Sequence, residues 1–94
     1  MHTALRIINN STVFGLLARV SHGRVNVSGF TLRAQQGNQD TEFNASVGQR
    51  GIYFYDDFTH QVVGNVDITL VQGTNTQIQV AGTPGNLTFA VATF

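Results

Sequence analysis

Apolar residues along this chain fall into short groups whose spacing changes from one segment to the next. The run TALRII, residues 3–8, is apolar and rich in β-branched side chains, which is typical of a buried strand. Four apolar residues then recur at the spacing of one helix face: Val13, Leu16, Leu17 and Val20. Ser11 or Thr12 is suited to cap the start of such a helix, and Gly23 to end it. The pattern therefore predicts a helix over about residues 12–22.

The next segments have the composition of strands and turns. Residues 24–34, RVNVSGFTLRA, predict a strand with a bulge at Gly29, where the apolar alternation changes phase. The polar stretch QQGNQD at 35–40 predicts a hairpin loop. Residues 41–48 alternate apolar and polar side chains and predict a half-buried strand.

The segment from 51 to 64 fits two interpretations. Its spacing of apolar residues by three and four (Ile52, Tyr55, Phe58, Val62) predicts a second helix. The run IYFY fits a strand equally well, because aromatic and β-branched residues have poor helix propensity. Further strands are predicted after it: VDITLVQ (66–72), TQIQV (76–80) and LTFAVATF (87–94), the last two joined by the turn GTPGN.

The predicted order of elements is β-α-β-β-α-β over about residues 3–72, followed by a β-rich C-terminal extension, 73–94. That order favours a single α+β domain, 1–94, with a ferredoxin-like βαββαβ sandwich. The uncovered face of its sheet predicts association with a second subunit. The alternative is an all-β sandwich, which the Thr, Asn, Gln and Gly content and the strand-rich second half favour.

The segments around the first predicted helix resemble a known family. Asn9 ends the first strand, 10–12 form a turn, the helix begins at Val13, and 26–29 read Asn-Val-Ser-Gly. In these features the chain resembles the ACT domain, and more closely the small regulatory subunit of acetohydroxyacid synthase (acetolactate synthase). The resemblance implies a non-catalytic subunit that dimerises through its ACT units. It would bind and activate a thiamine-diphosphate-dependent catalytic large subunit in branched-chain amino-acid biosynthesis.

The resemblance also implies an allosteric site for an amino acid such as valine, at the turn and the start of the first helix. Free amides at a helix N-terminus attract a carboxylate. The implied effector-binding residues are Asn9, Asn10, Ser11, Thr12, Val13, Phe14, Asn26 and Val27. Because Thr12 stands where the family has a turn glycine, the chain is more similar to valine-insensitive members. No cofactor is expected in this chain, since the cofactors of such a complex belong to the large subunit.

Composition narrows the function classes further. The net charge is zero, with five basic and five acidic residues, whereas nucleic-acid binders carry a basic excess. The sequence has no apolar run of transmembrane length and no visible export signal, so we expect a cytoplasmic protein without a membrane span. Charged residues are 11% of the chain, against about 25% in an average protein, which is typical of a chain with an interface.

Candidate catalytic chemistry is sparse. There is no cysteine, hence no thiolate nucleophile and no zinc–cysteine site. Asp56, Asp57 and His60 lie close in sequence, but adjacent aspartates point in different directions on a helix, so we interpret them as solvated surface without metal. The sequence therefore predicts a protein that is not an enzyme. The rival to the regulatory subunit is an all-β binding or structural module, lectin-like or from a virion.

Overall fold

The computed structural model describes residues 2–22 and 31–94, and every regular element within those residues is a β-strand. The strands are β1 (His2–Ser11), β2 (Gly15–His22), β3 (Thr31–Gln35), β4 (Gln39–Ser46), β5 (Gly48–Asp56), β6 (Val62–Leu70), β7 (Thr76–Thr83) and β8 (Asn86–Thr93). The strands predicted at 3–8, 41–48, 66–72, 76–80 and 87–94 are confirmed to within a few residues at their ends. The turn predicted at 82–86 joins β7 to β8 in an antiparallel hairpin.

The strands form two four-stranded sheets that pack face to face as a β-sandwich. The first sheet has the order β4-β1-β7-β8, and the second sheet has the order β3-β2-β5-β6. All pairs are antiparallel except β1 with β7, which run parallel. The chain crosses between the sheets after β1, β3, β4 and β6, so each sheet is completed only when distant segments meet.

The core lies between the sheets and is made by alternate residues of the inner strands. Leu5 and Ile7 of β1, Leu16 of β2 and Ile78 of β7 are at most 1% exposed. Phe54 of β5 is fully buried, and its ring stacks on that of Phe89 with centroids 5.1 Å apart. Burying large apolar side chains of this kind contributes about 1.5–3 kcal/mol each to folding, which makes these alternating positions the main source of stability.

The predicted α+β ferredoxin-like fold is wrong, and the all-β alternative is the fold observed. The segment 12–22 contains strand β2, in which Leu16, Ala18 and Val20 point into the core at the period of a strand. The segment 51–64 lies in the β5–β6 hairpin instead of a second helix. Pairing of β2 with both β3 and β5 satisfies its backbone groups and outweighs its helical spacing.

Two further predictions are corrected by the topology. The loop predicted at 35–40 as a hairpin turn connects β3 of the second sheet to β4 of the first, so the strands it joins are not partners. The predicted C-terminal extension, 73–94, supplies β7 and β8, and β7 lies in the first sheet between β1 and β8. Of the strand predicted at 24–34, Thr31–Gln35 is part of β3, and both Gly29 and the helix end at Gly23 lie outside the described residues.

Within residues 2–22 and 31–94, no helix has the length and apolarity needed to cross a membrane. The predicted cytoplasmic location stays a prediction.

Candidate ligand-binding face

The outer face of the second sheet carries an aromatic and basic surface. Because Ile52 and Phe54 of β5 are fully buried, the intervening Tyr53 and Tyr55 project to the opposite side. By the same alternation, β2 presents Leu17 and Arg19 outward. The strand register sets Leu17 opposite Tyr55 and Arg19 opposite Tyr53, so these four side chains, called the outer face here, form a contiguous surface.

Arg19 leans across this surface towards Tyr55. Its guanidinium carbon lies 5.2 Å from the centroid of the Tyr55 ring, within the range of a cation–π contact. Such a diagonal reach between neighbouring strands is available to long side chains. Arg19 makes no hydrogen bond or ion pair with any residue that the structure describes. Within residues 2–22 and 31–94, no group competes with a ligand for its N–H groups.

The β5–β6 loop brings His60 to the same place. The carboxylate oxygen of Asp56 accepts hydrogen bonds from the amides of Phe58 (2.8 Å) and Thr59 (3.4 Å), which folds the loop into a tight turn. The His60 amide donates to the Asp56 carbonyl at 2.7 Å, and the Asp56 amide donates to Gln61 at 2.9 Å. The loop conformation is thus fixed by its own polar groups.

His60 has a backbone φ of 58°, and among the described residues it is the one non-glycine residue with positive φ. Histidine tolerates this left-handed conformation better than most residues, yet glycine or asparagine is the usual choice. Unfavourable backbone conformations persist when the surroundings impose them, and they concentrate at functional sites. His60 lines the same cleft as Leu17, Arg19 and Tyr55.

Leu17, Arg19, Tyr55 and His60 together line an open cleft of about 230 Å³. Leu17 and the Tyr55 ring provide an apolar wall, while the guanidinium, the imidazole and the tyrosine hydroxyl provide hydrogen-bonding groups. The cleft is smaller than the roughly 300–1,000 Å³ of a site that encloses a drug-sized ligand. It is suited to one ring of a ligand that otherwise extends over the sheet.

Two phenylalanine rings, Phe14 and Phe58, lie close together at the β5–β6 loop, which also contains His60. Phe14 precedes β2, Phe58 is in the β5–β6 loop, and their ring centroids are 6.1 Å apart. Both are well exposed, at 58% and 77%. Beside them Arg33 donates to Asp57 at 2.8 Å, so the charge of this loop carboxylate is paired. The exposed rings extend the apolar surface beyond the cleft.

The polar side chains of the described residues can also be searched for a metal site. No group of three or more His, Cys, Asp or Glu side chains that could hold a metal ion occurs among residues 2–22 and 31–94. Oδ1 of Asp56 accepts from the loop amides, and Oδ1 of Asp57 accepts from Arg33. Stacking, hydrogen bonding and charge attraction are the interactions that this surface offers.

The structure places the predicted effector residues in two environments. Asn9, Ser11 and Val13 are buried, at 0%, 2% and 2% exposure. The side-chain Nδ2 of Asn9 donates to the carbonyls of Val13 (2.9 Å) and Ala34 (3.0 Å), and its Oδ1 accepts from the backbone amide and the hydroxyl of Ser11. These groups join the end of β1 to β3 of the other sheet. Their hydrogen-bonding capacity is thus used within the protein.

The other predicted effector residues do not converge with them. Asn10, Thr12 and Phe14 are exposed at and after the end of β1, and the Thr12 amide donates to the Gly82 carbonyl at 2.9 Å. Asn26 and Val27 lie outside the described residues. Because residues 12–22 form no helix in this structure, the helix start that was to bind a carboxylate does not exist. The effector role stays a prediction that has lost this physical basis.

The residues of the cleft were missed by the sequence analysis. The signal that identifies them is the alternation Ile52, Tyr53, Phe54, Tyr55, which separates two core residues from two outward aromatic residues once the segment is treated as a strand. The contribution of His60 is not visible in the sequence, because it depends on a loop conformation.

Neither a scan against protein-family models nor a search of the curated proteins finds a match for this chain. The class to which we assign the protein is therefore defined by its fold: a two-sheet β-sandwich, with eight strands in residues 2–22 and 31–94 and an aromatic and basic outer face.

Proposed function

We propose that this chain is a non-catalytic β-sandwich binding module that holds a saccharide against the outer face of its second sheet. The single observation that carries the proposal is the cleft in which the Tyr55 ring, Arg19 and His60 meet. A pyranose ring has an apolar face of C–H groups and a rim of hydroxyls. It matches a half-buried aromatic ring at the surface bordered by polar side chains, the usual composition of a ligand site.

The polar groups at the cleft also indicate which saccharides bind best. Arg19 and His60 are donors, and Arg19 carries a positive charge that no described carboxylate neutralises. A saccharide with a carboxylate or sulfate group accepts charge-assisted hydrogen bonds there, which are roughly twice as strong as neutral ones. Acidic saccharides should therefore bind more tightly than their neutral counterparts, and added salt should reduce the difference.

The regulatory-subunit function suggested by the ACT resemblance stays a prediction without support from the fold. That resemblance depended on two helices packed on one sheet, and the corresponding segments are strands of the second sheet. The all-β binding module, weighed above as its rival, agrees with the observed architecture.

The test is a glycan array followed by titration calorimetry of the best acidic and neutral ligands. Tyr55→Ala and Arg19→Ala should each weaken binding by at least about tenfold, equivalent to 1.4 kcal/mol. Tyr55→Phe should retain most of the affinity, because it keeps the stacking ring. Phe43→Ala is the matched control: Phe43 is 72% exposed but lies on β4 in the first sheet.

Circular dichroism would confirm that each variant keeps the strand spectrum. The proposal fails if no saccharide on the array binds. It also fails if a bound saccharide is as sensitive to Phe43→Ala as to Tyr55→Ala, since the site would then lie elsewhere.

A further inference from the structure

The hydrophobic core is covered unequally at its two lateral margins. The partly buried hydrophobic residues packed against the core all lie on β6 and β8: Val66, Ile68, Leu87 and Phe89. At the opposite margin, Leu32 and Ala34 of β3 and Ala45 of β4 are buried. Incomplete cover is thus concentrated on the side of the sandwich where β6 and β8 are the edge strands.

Strand β8 closes part of this side. A Cβ atom at Gly64 of β6 would lie 3.0 Å from Leu87 Cδ1 and 3.2 Å from Phe89 Cζ, so the glycine allows these two side chains to pack across the gap. Val91, two positions further on, is still 51% exposed. The apolar row of β8 therefore runs from the core margin into solvent.

Among the described strands, β8 has a backbone partner on one side only. The Phe94 amide donates to the Asn75 carbonyl at 3.1 Å, which continues the pairing with β7. Hydrogen-bonding groups alternate in direction along an antiparallel strand, so every second residue from Phe94 backwards bonds to β7. The residues between them turn their N–H and C=O groups to the free edge: Leu87, Phe89, Val91 and Thr93.

This edge lacks the usual protection against strand pairing. Natural edge strands are blocked by Lys, other charges, Pro or bulges. No charged residue occurs from Ile68 to Phe94, and β8 contains no proline. The outward side chains Thr88, Ala90 and Ala92 are small. A charged partner would find no counter-charge on β8, whereas two copies of this neutral strand meet without repulsion.

We propose that a second copy of this chain pairs with it, β8 against β8, in an antiparallel arrangement with a two-fold axis at Ala90. This register sets Phe89 of each copy opposite Val91 of the other, and Leu87 opposite Thr93. These are the residues whose N–H and C=O groups face the free edge, so both copies satisfy them. The two first sheets become one continuous sheet, and the apolar rows of the two copies adjoin. Such an interface is isologous and closed, which limits the assembly to a dimer.

One consequence rests on the proposed saccharide function. A two-fold axis perpendicular to the joined sheets leaves the outer faces of both second sheets on the same side of the dimer. Two clefts that face one way can engage neighbouring groups of one glycan surface, and avidity then exceeds the affinity of a single site.

The experiment is sedimentation velocity on the full chain without any glycan, from low micromolar concentration upward. The expected mass is twice the 10.2 kDa of one chain, with a reversible fall towards 10.2 kDa on dilution. Val91→Pro removes an edge-facing N–H, and Val91→Lys places a charge at the edge; both should sediment as monomers. Phe43→Lys, at the opposite edge of the same sheet, should stay dimeric.

Circular dichroism and the unfolding midpoint would show that the Val91 variants remain folded. Three results would overturn the inference: a wild-type chain that stays at 10.2 kDa throughout, dimers that survive both Val91 substitutions, or open-ended growth instead of a closed dimer. Because no glycan is present, these results do not test the saccharide proposal, which is tested separately by the titrations described above.

Discussion

Asn9 offers the most direct test of how the two sheets are joined at one end of the sandwich. Its side chain is fully buried and makes four hydrogen bonds: to the carbonyls of Val13 (2.9 Å) and Ala34 (3.0 Å), and from the amide (3.0 Å) and hydroxyl (2.6 Å) of Ser11. Asn9 belongs to the first sheet and Ala34 to the second. Asn9→Ala removes the bridge and leaves its partners facing an apolar methyl group.

The expected loss of stability follows from those contacts. A buried polar group left without a partner costs about 1–3 kcal/mol. Two carbonyls, one amide and one hydroxyl lose their partner, and the truncation leaves a small cavity. Contributions within one network do not add fully, so we expect a total of about 3–5 kcal/mol. Against a typical stability of about 5–15 kcal/mol, this is a large fraction of the free energy of unfolding.

Equilibrium unfolding in urea, followed by circular dichroism, measures this difference. Asn10→Ala is the control, because Asn10 is adjacent but exposed, and its substitution should change the free energy of unfolding by no more than about 0.5 kcal/mol. Equal midpoints for the two variants would refute the claim that Asn9 joins the sheets.

Asn9→Asp adds a pH-dependent version of the same test. A carboxylate still accepts from Ser11 but has no proton for the two carbonyls. Burial and the carbonyl oxygens raise the pKa of the new carboxyl group above its unfolded value. The penalty is therefore full above that raised pKa and is relieved as pH falls through it. A penalty that does not change between neutral and mildly acidic pH would contradict this account.

Three further substitutions are expected to separate strain, packing and surface charge, each measured by urea unfolding. Gly82→Ala should cost about 1–3 kcal/mol, because Gly82 has a φ of 95° and a Cβ would collide with the Asn86 carbonyl oxygen. Its control, Gly37→Ala, should cost less, because Gly37 has a φ of 82° but open space around it. Phe54→Ala should cost about 3–5 kcal/mol, since the ring is fully buried; a loss below about 1 kcal/mol would mean that the core is not packed as described. Arg33→Ala should cost less than about 1 kcal/mol, because its ion pair is solvent-exposed, and a larger loss would assign that pair a structural role.

Strands with a simple alternation were predictable from the sequence. In β7, Ile78 and Val80 are buried while Gln77 and Gln79 face outward, and Pro84-Gly85 forms the turn that follows. Local pattern was sufficient there because one side of the strand is apolar and the other polar. The sheet order was not predictable, because four of the connections cross between sheets and depend on pairing between distant segments.

The helix prediction failed for a reason that concerns the candidate site itself. In β2 the core residues Leu16 and Val20 follow strand alternation, and the helical spacing arises because Leu17 is also apolar. In β5 the residue that completes the helical spacing is Tyr55, which likewise points away from the core. The register sets Leu17 directly opposite Tyr55, and together they form the apolar wall of the cleft. Residues that break a local rule are expected at functional sites.

Leu17 both breaks the strand alternation and lines the cleft, and a single substitution can test whether these two facts are connected. Leu17→Thr restores an apolar–polar alternation to β2 and introduces a β-branched side chain, which is suited to a strand. If the outward-facing, half-buried leucine serves the ligand, the variant should keep the strand spectrum and change the free energy of unfolding by no more than about 1 kcal/mol. Its affinity for the saccharide should nevertheless fall. A large loss of stability with unchanged binding would instead show that Leu17 is apolar because the fold needs it. Leu17 would then no longer be evidence that a ligand binds at the outer face.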